Sequence, residues 1–282
     1  LLASAREKRW RTMATMAAAI AITTIVSQLG RHAPSHNFAE EWALTGASLE
    51  GANRVSDAEV AYQRAREQDP ESLLVLEGQG RLALRAGRFG EARTVLERVV
   101  ARLPESARAQ YHLGLACRGL VDNTCALTAF RQARTLAPDY TPAALELGSL
   151  WLERGDANAA ATEFGAALAR DSLIVRAHLG LAKAEGARGR AQQGLAAAQR
   201  AAALDPASNE AWFLVAALAL DTRDLSLAST AIGRIEALEG VGPQSSFLRV
   251  LVLRGQGKSK EASAALGALR ERWPAFAPAA QL

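Results

Sequence analysis

Residues 107–140 read ARAQYHLGLACRGLVDNTCALTAFRQARTLAPDY, a block of 34 residues that decides the fold. Counted from Ala107, it places Gly114 at position 8, Ala126 at position 20, Phe130 at position 24 and Pro138 at position 32. The same frame extends in both directions without insertion or deletion, giving seven blocks over residues 39–276. Pro70, Pro104, Pro138, Pro206 and Pro274 hold position 32, with Ser172 and Gly240 in the two remaining blocks. Position 20 is small throughout: Ala58, Ala92, Ala126, Ala160, Gly194, Ala228 and Ala262. Positions 24 and 27 carry apolar pairs such as Tyr62 and Ala65, Leu96 and Val99, Phe130 and Ala133, and Phe164 and Ala167.

Apolar residues at positions 4, 7, 11, 24 and 27 have the spacing of helical faces, and proline at position 32 cannot continue the helix before it. Each block therefore reads as two helices, A and B, with small residues where the helices cross at positions 8 and 20. A 34-residue period with small residues at 8 and 20, an aromatic at 24 and proline at 32 resembles the tetratricopeptide repeat family, over about five-sixths of the chain. The resemblance implies an all-α, right-handed solenoid of about seven helix-turn-helix repeats whose neighbours bury one another's apolar faces. It also implies a concave groove, lined by helix A positions 2, 5, 9, 12 and 13, that takes segments of other proteins.

Composition fits a helical array and excludes other classes. No stretch alternates as a strand would, and only Lys8, Lys183, Lys258 and Lys260 are lysines. The abundance of arginine reads as a bias toward GC-rich codons. Residues 1–31 hold Arg6, Lys8, Arg9, Arg11 and Arg31 against Glu7, so the other 28 basic and 28 acidic residues of the chain cancel. The formal charge of +4 thus sits in one short segment, and nucleic acid is not an expected partner.

That segment reads as a basic cytoplasmic flank over residues 1–11 and a transmembrane helix over residues 12–30, with a linker over residues 31–38. Thr12 to Gly30 carry no charge and as a helix span roughly 28 Å, close to the bilayer core. Basic residues ahead of the span predict the N-terminus in the cytoplasm and the repeats in the periplasm of a bacterial inner membrane. A buried amphipathic helix and a cleaved signal peptide are the alternatives, since Thr15, Thr23, Thr24, Ser27 and Gln28 moderate the hydropathy. Small residues four apart, Ala14 and Ala18 and then Ala17 and Ala21, allow close helix packing, although alanine is common everywhere in the chain. His32 and His36 are four apart, but Pro34 stands between them and no third ligand lies near, so no metal is expected.

No phosphate loop, Cys-x-x-Cys, His-Glu-x-x-His or Gly-x-Ser-x-Gly elbow occurs, so neither catalysis nor a cofactor is expected. The candidate groove residues are Arg81, Arg85, Arg108, Tyr111, Arg118, Arg176, Lys183 and Phe213, with Glu77, Glu153 and Asp221 as the acids. Arginines beside a tyrosine suit an acidic or extended segment, and a merely solvated charged face is the alternative. Some family members grip a partner's C-terminal carboxylate with paired lysines and asparagines; the asparagines are lacking here.

Only residues 277–282 follow the last block, too few for a covering helix, so Leu266, Leu269, Trp273 and Phe276 are expected to be partly exposed and to dock on a partner or a second copy. Cys117 and Cys125, at positions 11 and 19, flank the turn from Val121 to Thr124 and are either a disulfide or a pair of buried thiols. The resulting expectation is a single-pass, membrane-anchored scaffold or accessory subunit of an envelope complex. A soluble peptide-binding adaptor with a leader, or a regulatory partner of a separate enzyme, is the alternative.

Overall fold

The structure is a computed structural model that describes residues 38–280. The basic flank, the apolar span over residues 12–30 and the His32–His36 pair lie outside the described residues. Among the described residues no helix is long and apolar enough to cross a membrane.

The described residues form helices and no strand. In chain order they are α1 Phe38–Gly51, α2 Val55–Gln68, α3 Leu73–Arg85, α4 Phe89–Arg102, α5 Ala107–Gly119 and α6 Asn123–Leu136. There follow α7 Thr141–Glu153, α8 Ala157–Arg170, α9 Val175–Ala187, α10 Ala191–Leu204, α11 Asn209–Asp221, α12 Leu225–Glu239, α13 Pro243–Gly255, α14 Ser259–Arg272 and the short α15 Ala277–Ala280. From α3 onward every odd-numbered helix starts 34 residues after the previous one, and every even-numbered helix from α2 does the same. Odd helices are the A helices and even ones the B helices.

The contacts divide the chain into two units, Leu1–Val75 and Leu76–Leu282, with the division inside α3. In the first unit α1 and α2 pair as a hairpin. Tyr62 fills the space beside Gly46, where a Cβ would stand 2.9 Å from the ring, and its hydroxyl donates to Glu50 at 3.2 Å. The Arg64 guanidinium lies 4.5 Å from the centre of the Trp42 ring.

In the second unit each A helix from α5 to α13 packs on its own B helix and on the B helix before it, and α7, α9, α11 and α13 also pack on one another in succession. The core between them is rich in alanine, with a few large side chains in each hairpin, as Leu147, Leu150 and Phe164 show for α7 and α8. A Cβ on Gly148 would stand 2.7 Å from the Phe164 ring, one on Gly114 2.5 Å from Phe130, and one on Gly80 2.7 Å from Leu96. The small residue at position 8 therefore makes room for the position-24 side chain rather than for bare backbone. Later repeats replace that glycine: positions 8 and 24 are Ala182 and Ala198, Ala216 and Ile232, and Val250 and Leu266, all buried in shared core clusters. Backbone approach does decide one site, since a Cβ on Gly194 would lie 3.0 Å from the Ala182 carbonyl oxygen.

Two further repeat positions set the turns. Position 15 takes the left-handed conformation in all seven repeats: Asn53, Gly87, Val121, Gly155, Gly189, Arg223 and Gly257 have φ between 60° and 79°. Glycine accepts this without a Cβ penalty; Val121 at 60° does not. Position 16 then caps helix B where it is aspartate. Asp122, Asp156 and Asp224 accept from the amides of Cys125, Ala159 and Leu227, satisfying a donor left open at the helix start. Proline at position 32 is not what stops helix B, because α8 ends at Arg170 with Ser172 in that place. Its end is set by Asp171, already extended at φ −143°.

Candidate functional site

The A helices α5, α7, α9 and α11 bring their position 2, 9, 12 and 13 side chains onto one face, where a cavity of about 460 Å³ opens. Leu152, Phe164, Leu179 and Gly180 form its apolar part, and Arg118, Arg176, Lys183, Glu153 and Glu210 its charged part. Of the residues expected in the groove, Arg118, Arg176 and Lys183 thus meet in one place. Phe213, 39% exposed, lines the neighbouring cavity of about 580 Å³, which shares Glu210.

The charges on this face are ordered by one another. Glu146 on α7 is only 7% exposed and sits between two arginines. Its Oε2 accepts from Arg118 Nη1, and its Oε1 from Arg176 Nη1 at 2.7 Å. Arg118 Nη2 also reaches Glu153 at 2.7 Å, and Arg176 Nη2 donates to Ser149 Oγ at 3.3 Å. Lys183 Nζ pairs with Glu210 at 2.5 Å, and Arg108 Nη2 with the buried Glu77 at 2.5 Å. A carboxylate this buried holds its charge only when neighbouring donors compensate the lost water. The arginines therefore do not stand as idle donors awaiting an acidic ligand. They form a chain of ion pairs linking repeats 3, 4 and 5, with one further pair on each side. Glu146, Ser149 and Glu210 were missed as members of this network. Glu146 is at position 6, outside the five groove positions, although an acid there amid arginines at position 2 of the next repeat is a readable signal.

Arg81 and Arg108 lie near His112, and Tyr111 packs on Phe130 at 5.7 Å and edge-on against Tyr140 at 5.4 Å. Burial, then the Arg81 and Arg108 charges, push the His112 pKa down to about 4. Burial and the Glu146 carboxylate push the Tyr111 hydroxyl up to about 12. Both side chains are therefore neutral at pH 7 and serve as packing and hydrogen-bonding surface. Arg85 lies in the last turn of α3, apart from this cavity.

The C-terminal expectation needs correction. Leu266 and Leu269 are buried, 7% and 1% exposed, because Val250, Phe247, Trp273 and Phe276 close over them. Phe247 and Phe276 meet edge to face at 5.8 Å, so the residues after α14 fold back over its apolar side. Only Trp273 and Phe276 remain half-buried, and Arg272 covers the Trp273 ring at 4.6 Å. Cys117 and Cys125 are joined in a disulfide with their Cα atoms 5.7 Å apart, which closes the turn between α5 and α6. Among the described residues no group of three or more His, Cys, Asp or Glu is placed to hold a metal.

A family model described as Tetratricopeptide repeat matches residues 44–93 and 77–141. No curated protein sequence matches the chain. Among solved structures, a tetratricopeptide repeat protein from Parabacteroides merdae is 16% identical, with a TM-score of 0.59 over 86% of this chain and 96% of that one. The APC/C hetero-tetramer Cut9–Hcn1 is 17% identical, with a TM-score of 0.61 over 80% of this chain and 44% of that one. YrrB, described as a tetratricopeptide repeat protein with an unusual peptide-binding site, is 20% identical, with a TM-score of 0.52 over 60% of this chain and 88% of that one. At such identities the likeness is one of fold.

Proposed function

Because this chain is built of tetratricopeptide repeats, we propose that it is a protein-interaction scaffold that lays an extended partner segment across its A helices. In this reading it is a membrane-anchored accessory or assembly subunit of a bacterial envelope complex. The observation that carries the proposal is the cavity on α5, α7, α9 and α11, which joins an apolar floor to a pre-ordered row of cations. Arg176 and Lys183 keep 51% and 46% of their side chains exposed, so donors remain for a ligand's carbonyls or carboxylates. The buried Glu146 and the exposed Glu210 hold those two side chains in place before binding, which lowers the ordering cost of association. A peptide in the groove also accords with YrrB, a tetratricopeptide repeat protein with an unusual peptide-binding site. The membrane part rests on the basic flank and the uncharged stretch from Thr12 to Gly30.

The test is fractionation and crosslinking of the full chain in its membranes. An anchored scaffold stays with the membrane through high-salt and alkaline washes, and Arg118→Ala with Arg176→Ala removes its crosslinked partner. Release by the alkaline wash would turn the reading into a soluble adaptor. A partner retained by the double variant would remove the groove from the account.

A further inference from the structure

The groove changes chemistry at its far end. Beyond Glu210, the 580 Å³ cavity between α11, the end of α12 and the start of α13 has only carboxylates among its charged lining residues, Glu210 and Glu239. Lys183 holds Glu210 at 2.5 Å, whereas Glu239 is exposed and forms no ion pair among the described residues. Phe213 presents a ring that is 39% exposed, and Ile235 lies beneath it as buried wall. Asn209 also lines the cavity, and its amide oxygen, buried behind that wall, has no hydrogen-bond donor reaching it among the described residues.

A departure from the repeat builds this site. Position 32 of repeat 6 is Gly240, not proline, and it caps α12 at φ 81° and ψ 178°, a conformation open in practice to glycine alone. The helix α12 consequently runs 15 residues to Glu239, one longer than the B helix of any other repeat. That extra residue carries the unpaired carboxylate to the cavity rim.

Two carboxylates, an open aromatic face and an acceptor without a donor complement a group with several N–H donors, a positive charge and an apolar stem. We propose that this cavity is a subsite for an arginine or lysine side chain of an extended partner segment. Glu239 and Glu210 supply the counter-charge, Phe213 the surface for the stem, and Asn209 an acceptor. The subsite rests on the reading of the groove as a peptide site and gives the bound segment a polarity. Its basic residue lies over repeats 6 and 7, and its acidic or carbonyl groups over Arg118 and Arg176.

Fluorescence anisotropy with the full chain tests this. The probes are three labelled extended heptapeptides in which alanine alternates with arginine, glutamine or glutamate. The arginine peptide should bind about tenfold tighter than the glutamine peptide, lose that margin in the variant Glu239→Gln with Phe213→Ala, and weaken as salt rises. Equal binding of the arginine and glutamine peptides, or an arginine peptide indifferent to the double variant, overturns the subsite. If the glutamate peptide then still binds and is lost in Arg176→Ala, the groove reading stands and the cationic subsite alone falls. If no peptide binds, both fall. A concentration-dependent dimer that Glu239→Gln dissolves would assign the cavity to a second copy and refute the proposal.

Discussion

Replacing Val121 with glycine should stabilise the protein, because Val121 is the one β-branched residue among the seven left-handed turn positions. At φ 60° its Cβ crowds the following carbonyl, a penalty of about 1–2 kcal/mol that branching raises further. The side chain returns little, since Val121 is 79% exposed. Glycine removes the penalty but frees the unfolded chain, which offsets about 0.5–1 kcal/mol. The net gain is about 1 kcal/mol. Urea titration followed by helical circular dichroism reads this as a rise in midpoint at unchanged slope. The reverse change, Gly155→Val at the matching position of repeat 4, should lose about 1–2 kcal/mol. A Val121→Gly variant that is less stable than the parent, with Gly155→Val neutral, would refute the argument that position 15 imposes this conformation.

Gly180→Ala should cost about 1–3 kcal/mol, because its Cβ would enter the ring of the buried Phe164, and adding Phe164→Leu should recover part of the loss. The folded His112 pKa, about 4, lies below its unfolded value near 6.5, so the unfolded state binds the proton first. Stability is therefore full above pH 6.5 and falls by up to about 3 kcal/mol toward pH 4, a slope that His112→Gln should flatten in urea midpoints taken across that range. Glu146→Ala leaves Arg118 and Arg176 without their shared carboxylate; after allowing for solvent screening of the half-exposed Arg176 it should destabilise by about 2 kcal/mol in the same titration. Intact-mass measurement after alkylation without reductant should show neither Cys117 nor Cys125 modified, and reduction should remove roughly 2–3 kcal/mol for a loop this short.

The sequence carried the helical array because each repeat restates it. The small residue at position 20 recurs in all seven blocks, and the prolines and the small residues at position 8 in most of them, so one irregular block cannot obscure the reading. What the period could not express were relations between side chains in different repeats. Glu146 sits off the five groove positions, and its pairing with Arg118 and Arg176 joins residues 28 and 30 apart in sequence. The burial of Leu266 and Leu269 depended on Trp273 and Phe276 turning back over α14, which a count of the residues beyond it does not foretell. Gly240 was visible as a missing proline, but its consequence needed φ: one more helical residue, and with it the position of Glu239.

The central claim is that partners are held on the A-helix face. A photo-crosslinking residue at Leu179, on the floor of the cavity, can be compared with one at Arg200, exposed on the B helix α10. Irradiation of the full chain in its membranes should give a discrete adduct from Leu179 that Arg176→Ala reduces, and none from Arg200. Adducts from Arg200 with none from Leu179 would contradict the account.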